Sequence, residues 1–476
     1  MANAIDLAAL RMKLQSAGQE KTLRFYDSLD AAGQAKLAGH LDALDLPEIG
    51  HLIEHYVRSK PIFNVPTDIQ PVHAFPRVAD AAHRQQYEQA AQLGKTLLSQ
   101  GKIAAFLVAG GQGTRLGYDG PKGEFPVTPI KHHPLFQVFA EQILAHGRDF
   151  GRPIPWYIMT SEANDAATRA YFAKNKSFGL DSANVFFFTQ GMMPAFAPDG
   201  ELLLAEKDSL ALSPDGHGGS LRALHRSGAL ADMRRRGIEH LSYFQVDNPL
   251  VHVIDPLFLG LHALVGSEMS SKTIPKAGPL EKVGNFVQAD GKVQVIEYSD
   301  LPDELATQKN PDGTLRFNEG SIAIHALAVS FIERLTAGTL RLPWHRAEKK
   351  VAYVDDAGKA IKPDKPNAVK LEQFVFDAIP LAKNAIVYMT DRAEEFSPVK
   401  NAEGNDSPAT CRRDQIRRAA RWLTTAGTTV PLKNGEPDAM LEISPLFATS
   451  AEQLSERLAN KKLSIHPTSE KYLGPE

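Results

Sequence analysis

The chain holds a single cysteine, Cys411, among 476 residues. One thiol forms no internal disulfide and cannot alone build a cysteine-based zinc site, which is the pattern of a reducing compartment. No run of about 18 apolar residues occurs, so no membrane-spanning helix is expected. The opening stretch MANAIDLAALRMKLQSAGQEK has no long apolar core behind a basic start, which excludes a secretory signal. An excess of positive charge is absent too: 53 Lys and Arg face 56 Asp and Glu, a formal net charge of −3. Nucleic acid and membrane surfaces are therefore not expected partners, and any phosphate binding must come from local groups. Internal repeats and low-complexity tracts are missing as well. These absences lead us to expect a cytoplasmic protein, a monomer or weak homo-oligomer.

What is present is ordinary globular composition, 43% hydrophobic and 23% charged, in a chain long enough for two or three domains around a dominant one. Residues 1–95 read as a helical segment and linker. Leu7, Leu10, Met12 and Leu14, then Leu23, Tyr26 and Leu29, recur at spacings near three and four. This segment carries no recognisable chemistry and reads as a packing layer. The proline-rich PIFNVPTDIQPVHAFP (61–76) reads as a surface linker. Over 96–395 the pattern becomes strands alternating with helices. IAAFLVAG (103–110), PWYIMTS (155–161), ANVFFFTQ (183–190) and LSYFQVDN (241–248) are short apolar runs. FQVFAEQILAHGR (136–148) and LRALHRSGALADMRRRG (221–237) are helix-like. Alternation of this kind predicts an α/β fold, a mainly parallel sheet flanked by helices, with ligands beyond the carboxyl ends of its strands. Residues 396–476 are mixed, with a strand at MLEISPLF (440–447) and a helix at SAEQLSERLANK (450–461).

The most informative segment is LVAGGQGTRLGYDGPKGEFP (107–126). A strand delivers Gly110, Gly111 and Gly113 to a turn where missing Cβ atoms allow close backbone approach. Successive N–H groups in such a turn form a nest for anions. Arg115 adds a planar fork matched to phosphate oxygens, and Lys122 a mobile point charge. Bare amides with two cations suit a triphosphate. Two better-known phosphate loops fail on spacing. Leu116 stands where G-x-G-x-x-G would need its third glycine, which disfavours a dinucleotide-dependent dehydrogenase. G-x-x-x-x-G-K-[ST] is absent too, since Gln89 stands where Gly94-Lys95-Thr96 would need its first glycine.

GGQGTRLG followed by PKG resembles the nucleotide loop of the eukaryotic-type UDP-sugar pyrophosphorylases. The resemblance continues in order through TQGMMPAF (189–196), DGHGGSLRAL (215–224), FQVDNPL (244–250), VIEYSDL (295–301), FNEGS (317–321), IKPDKPNAVKLEQFVFD (361–377), EFSPVKNAEG (395–404) and LEISPL (441–446). Across this stretch the chain is most similar to the N-acetylglucosamine branch. The resemblance implies a Rossmann-like nucleotidyltransferase fold of GT-A type with a small C-terminal domain. It also implies a Mg²⁺-dependent reaction of UTP with a sugar 1-phosphate.

Site roles follow from the same resemblance. Ala109, Gly110, Gly111, Gly113 and Thr114 would hold the nucleotide, with Arg115, Lys122 and Lys400 catalytic. Lys370 would help neutralise phosphate. Asp247 follows a strand, where a carboxylate can hold Mg²⁺ against triphosphate oxygens; the resemblance assigns it that role. Gln190, whose amide has one donor and one acceptor face, and the backbone of Gly216 would read uracil. His217, Glu297, Asn318 and Ser321 would line the sugar pocket. His217 and Ser321 depart from the N-acetylglucosamine branch, which carries Asn at both places, and Gly-His-Gly is more like the UDP-glucose enzymes. The expected acceptor is therefore N-acetylglucosamine 1-phosphate or glucose 1-phosphate. A nucleotidyltransferase using another NTP and a non-catalytic UDP-sugar sensor are the alternatives. Met192 and Met193 read as core, Phe374 and Phe376 as alternating strand residues, and His132 and His133 as loop residues without a carboxylate partner in ligand spacing.

Overall fold

Ile103–Val108 is a run of six apolar residues, and five of the six are buried. Continuous rather than alternating burial marks a strand covered on both faces. In the computed structural model, which describes residues 5–61, 66, 68–338, 340, 342–459, 461 and 463–475, the chain forms two compact units. The first comprises Met1–Asn64, Gln190–Gly219 and Arg341–Val375, and the second Val65–Thr189, Ser220–Leu340 and Phe376–Glu476.

The second unit is built on a mixed, mostly parallel sheet. In chain order its strands are β1 (Gln70–Pro71), β2 (Ala74–Phe75), β3 (Ile103–Val108), β4 (Trp156–Thr160), β5 (Val185–Thr189) and β6 (His240–Gln245). They continue as β7 (Met269–Pro275), β8 (Asn285–Ala289), β9 (Lys292–Ile296), β10 (Glu319–Ala328) and β11 (Ile386–Met389). The path runs β2-β11-β7-β10-β6-β3-β4-β5, and β8 joins β10, β1 and β9. β6, β3, β4 and β5 are mutually parallel, as are β7, β11 and β2; β10 lies antiparallel between β6 and β7. β3 and β6 are therefore neighbours whose carboxyl ends share one edge.

Five helices support or flank that edge: α1 (Arg84–Ser99), α2 (Leu135–Asp149), α3 (Asp165–Lys174), α4 (Pro256–Leu264) and α5 (Pro408–Thr425). α2 lays Leu135, Phe136, Val138, Phe139 and Ile143 into one core with Ile103, Leu107, Trp156, Ile158 and Phe244. Phe136 meets Phe172 of α3 edge-on at 5.0 Å, and Phe139 meets Phe244 of β6 at 5.1 Å. Each such buried side chain contributes roughly 1.5–3 kcal/mol, so the sheet edge carrying the site stands on a rigid base. Near the C-terminus α5 starts on a Ser407–Thr410 capping box with Pro408 at its first turn. Its Trp422 and Leu423 share a smaller core with Leu441 and Leu454.

In the first unit, helices Leu7–Ser16, Ala31–Asp42 and Leu46–Leu52 are each capped by an aspartate side chain, Asp6, Asp30 and Asp45. Their Leu10, Leu14, Leu37, Leu41, Ile49 and Leu52 pack with Phe196, Leu204 and Leu371.

Three local expectations need correction. The helix expected over 221–237 is two, Gly219–Arg226 and Ala229–Arg236, broken at Gly228 with its φ of 81°. The stretch 61–76, of which 62–65 and 67 lie outside the described residues, is no free linker. It supplies β1 and β2 and buries Ile69 and Val72. Phe374 and Phe376 are not strand residues: the strand Ala368–Glu372 ends before them, and Phe376 lies in the 3-10 helix Val375–Leu381. The helix expected over 450–461 is observed as Ala451–Leu458, with residue 460 outside the described residues.

Candidate functional site

After β3 the chain from Ala109 to Lys122 folds back on itself. Gly113 N–H donates to Gly120 O at 2.9 Å, Tyr118 N–H to Gly113 O at 3.1 Å, and Lys122 N–H to Gly111 O at 3.1 Å. Asn164, just before α3, pins this turn from below. Its amide nitrogen donates to Ala109 O at 2.9 Å and Gly111 O at 3.3 Å, while its oxygen accepts from Ser161 N–H at 2.8 Å. A Cβ on Gly113 would sit 2.9 Å from Tyr118 Cβ, so no side chain fits there. Gly111 and Thr114 are exposed, and among the described residues their N–H groups find no acceptor. Two bare donors on a braced turn can receive an anion.

Charged groups from three separate stretches converge beside this turn. Lys122 is half-buried, and loss of hydration pushes its pKa below the ordinary lysine value; Asp247 opposes that shift, while Lys400 and Arg115 add to it. Asp247 is partly exposed just past the end of β6, and its carbonyl accepts Val399 N–H at 2.8 Å. The neighbouring Asn248 donates to Glu395 O at 2.6 Å and accepts from Ser397 N–H at 3.2 Å. The segment bearing Lys400 is thereby fastened alongside Asp247. The Lys400 ammonium lies 3.8 Å from Asp406 and 5.7 Å from the centre of the Phe396 ring.

Elsewhere in this unit, Glu297 and Ser321 both approach Gly284. A Cβ built there would lie 3.3 Å from Glu297 Oε1 and 3.7 Å from Ser321 Cβ, and Ser321 N–H donates to Gly284 O at 2.8 Å. Asn318 accepts the N–H of Lys276 on its backbone oxygen at 2.9 Å and on its side-chain oxygen at 3.2 Å.

The remaining candidates belong to the first unit. Gln190 is buried and donates to Gly216 O at 2.7 Å, which joins the two residues expected to face a base. Gly216 has φ +85°, and a Cβ there would meet Gln373 O at 2.3 Å. Gly218 N–H donates to Gln373 O at 2.7 Å, and Gln373 N–H to Asp215 O at 2.8 Å. His217 stacks on Phe374 at 5.2 Å, and Phe374 on His345 at 4.2 Å. Val375 N–H donates to His217 Nδ1 at 3.1 Å. Burial, with the His345 charge second, pushes the His217 pKa down to about 4. A neutral ring accepting on Nδ1 carries its proton on Nε2. Lys370 sits half-buried in strand Ala368–Glu372, opposite Ala347 of His345–Lys349.

Comparison with known proteins bears on what this arrangement is. The model of the family described as UTP–glucose-1-phosphate uridylyltransferase matches residues 60–440. The chain belongs to that family. A UDP-N-acetylhexosamine pyrophosphorylase-like protein 1 from Xenopus tropicalis is 37% identical, with 96% of this chain and 95% of that protein covered. The UDP-N-acetylglucosamine pyrophosphorylase of Saccharomyces cerevisiae is 39% identical, with 77% and 78% covered. Among solved structures, the Trypanosoma brucei uridine diphosphate N-acetylglucosamine pyrophosphorylase in complex with inhibitor superposes with a TM-score of 0.80. It is 25% identical, with both chains covered in full.

Within this uridylyltransferase-family chain, the structure brings together Arg115, Lys122, Asp247 and Lys400, and pairs Gln190 with Gly216. Lys370 and His217 belong to the other unit from Lys400 and from Glu297, Asn318 and Ser321. The supporting residues Asn164, Asn248 and Gln373 escaped the sequence reading, since nothing in a lone amide signals which distant backbone it will hold. His133 meets a carboxylate that no ligand spacing announced, Glu141, at 3.1 Å. The eight-residue spacing hid it because α2 returns Glu141 over the loop. Met193 is core, as expected. Among the described residues no helix is long and apolar enough to cross a membrane.

Proposed function

We propose that the chain transfers the uridylyl group of UTP to a hexose 1-phosphate, releasing a UDP-sugar and pyrophosphate. The observation that carries this reading is that the charges of Asp247, Lys400 and Arg115 all act on Lys122, at the end of the braced turn where β3 and β6 share an edge. A sugar-phosphate oxygen attacks the α-phosphorus of UTP, and the bond from that phosphorus to the bridging oxygen breaks. The nucleophile is already ionised near neutral pH, so no general base is needed. The difficulty is bringing anions together, which positioning and fixed charge overcome.

In this reading the amides of residues 110–114, with Arg115 and Lys122, hold the triphosphate and the charge growing on pyrophosphate. Lys400 draws the incoming phosphate towards the α-phosphorus, and the family resemblance gives Lys370 a phosphate-neutralising role of its own. Gln190 and Gly216 read uracil. Magnesium takes one or two carboxylates and completes its shell with phosphate and water oxygens. Asp247, partly exposed beside Lys122, fits that donor set and would hold it. A bound Mg²⁺ would neutralise triphosphate charge. In the one group of three potential metal donors among the described residues, His252, Asp255 and Glu395, both carboxylates bind the Lys272 ammonium instead.

The acceptor is N-acetylglucosamine 1-phosphate, supported by similarity to proteins named for UDP-N-acetylhexosamines. A second reading, glucose 1-phosphate, rests on His217 and Ser321. Pyrophosphate release from UTP with the 1-phosphates of glucose, galactose, N-acetylglucosamine and N-acetylgalactosamine tests both, with EDTA and with ATP, GTP and dTTP as controls. Strong N-acetylglucosamine preference supports the first reading and glucose preference the second. No release with any sugar in Mg²⁺ would overturn the transferase reading in favour of a sensor.

A further inference from the structure

Among the described residues, Lys272 is the one lysine in the set of largest fully buried side chains. It projects from β7, where its ammonium donates to Glu395 at 2.5 and 2.8 Å and to Asp255 at 2.6 Å. His252 Nδ1 lies 3.0 Å from the same Glu395 carboxylate, which these neighbours hold down to a pKa of about 2 against its own burial. Asp255 also caps α4, accepting from Leu257 and Phe258 N–H at 3.0 and 3.1 Å. A strand, a helix start and the Glu395 segment are thus tied at one buried point.

The chain just beyond Glu395 gives this cluster its reach. Residues 396–400 have no regular secondary structure, yet Ser397, Pro398 and Val399 are buried. A buried irregular segment must have its backbone groups satisfied by fixed partners. Here Asn248 bridges Glu395 O and Ser397 N–H, and Asp247 O takes Val399 N–H. The Ser397 hydroxyl donates to Asp414 of α5 at 2.9 Å. The next residue after Val399 is Lys400. A short segment therefore separates an immobile carboxylate from a phosphate-handling lysine, and every second residue of it is pinned.

We propose that Glu395, clamped by Lys272, is a positioning residue that sets the Lys400 ammonium for the transfer step. The idea rests on the assignment of Lys400 to the reacting phosphates. Glu395 touches no substrate and acts through the segment 396–400. A lysine carries its charge on a flexible four-carbon stem, so precision in the ammonium must come from where its backbone is held. A small misplacement of such a group is enough to cost orders of magnitude in rate.

The test is a double-mutant cycle on the full chain with UTP, Mg²⁺ and the preferred sugar 1-phosphate, reading kcat and KM separately. Lys400→Ala should lower kcat about a hundredfold or more. Glu395→Gln should lower kcat at least about tenfold, the scale set by such misplacement, with KM for UTP little changed. In the Lys400→Ala background, Glu395→Gln should lower kcat no further. Multiplying losses in the double variant would overturn the proposal and leave Glu395 as structural only. Wild-type turnover by Lys400→Ala would instead overturn the assignment of Lys400 on which the proposal rests. Should Glu395→Gln fail to fold, Asn248→Ser, which loosens the same segment without uncovering a charge, replaces it in the cycle. The same non-additivity with Lys400 is expected, and additivity again overturns the proposal.

Discussion

Replacing Lys122 by alanine is the sharpest perturbation of the proposed site. The side chain is half-buried, and its ammonium feels the charges of Asp247, Lys400 and Arg115. A preorganised donor in such a water-poor setting, aimed where charge develops, contributes about 2.7–4 kcal/mol to the transition state, or 10²–10³ in rate. Lys122→Ala should therefore lower kcat by about that factor, with a smaller change in KM for UTP, because the contact strengthens as pyrophosphate leaves. Stability should hold or rise. The lysine pKa is pushed down by desolvation, so at neutral pH the charged form is disfavoured in the folded state, and alanine removes that burden.

The same shift predicts a pH dependence. Wild-type kcat should fall as alkaline pH removes the Lys122 proton, below the ordinary lysine range. Asp247 raises that pKa and Arg115 lowers it. The alkaline limb of the residual activity should then move to lower pH in Asp247→Asn and to higher pH in Arg115→Ala. Stopped-flow pyrophosphate release across pH, with thermal melts alongside, measures all of this. Wild-type turnover by Lys122→Ala, or limbs moving the same way in both variants, would refute the reasoning.

Gly216→Ala should destabilise the fold by more than the roughly 1–2 kcal/mol of a left-handed backbone alone. The new methyl would also meet Gln373 O at 2.3 Å, and urea unfolding reads the loss. His217→Asn should shift the ratio of kcat/KM between N-acetylglucosamine and glucose 1-phosphates towards the former; an unchanged ratio removes His217 from the sugar pocket. In the wild type, the His217 ring with its pKa near 4 should show no NMR titration between about pH 5 and 8. It should weaken the fold as pH falls from about 6.5 towards 4, since only the unfolded chain takes up the proton there. Cys411 is fully buried, and its thiol is pushed up to about 12. It should resist iodoacetamide in the native protein and react once the chain is unfolded in urea, as mass spectrometry would record.

Much of the fold was legible because its strands are short apolar runs with turn residues at both ends. β3, β4 and β5 each lie within the run that announced them, and β6 begins at His240, just ahead of its own. The glycine-rich turn was legible for a related reason: a backbone that must present bare amides needs residues without Cβ, and that need is local. Long-range pairing was not. β1 and β2 hid in a proline-rich stretch because two-residue edge strands carry too few side chains to show a period. The break at Gly228 was invisible within an unbroken helical spacing of apolar residues.

Left to itself, the sequence determined which groups are available: a glycine-rich turn with bare amides, cations, a strand-end carboxylate and an amide with one donor and one acceptor face, all set by residue type and spacing within short windows. The tertiary structure alone decided which of them meet. Lys122, Asp247 and Lys400 are far apart in the chain, and they become neighbours because β3 pairs in parallel with β6 and Val399 donates to the carbonyl of Asp247. Nothing in the composition of residues 395–400 encodes that placement. It arises from a buried lysine on one strand and an asparagine at the end of another, whose partners exist only once the sheet has formed.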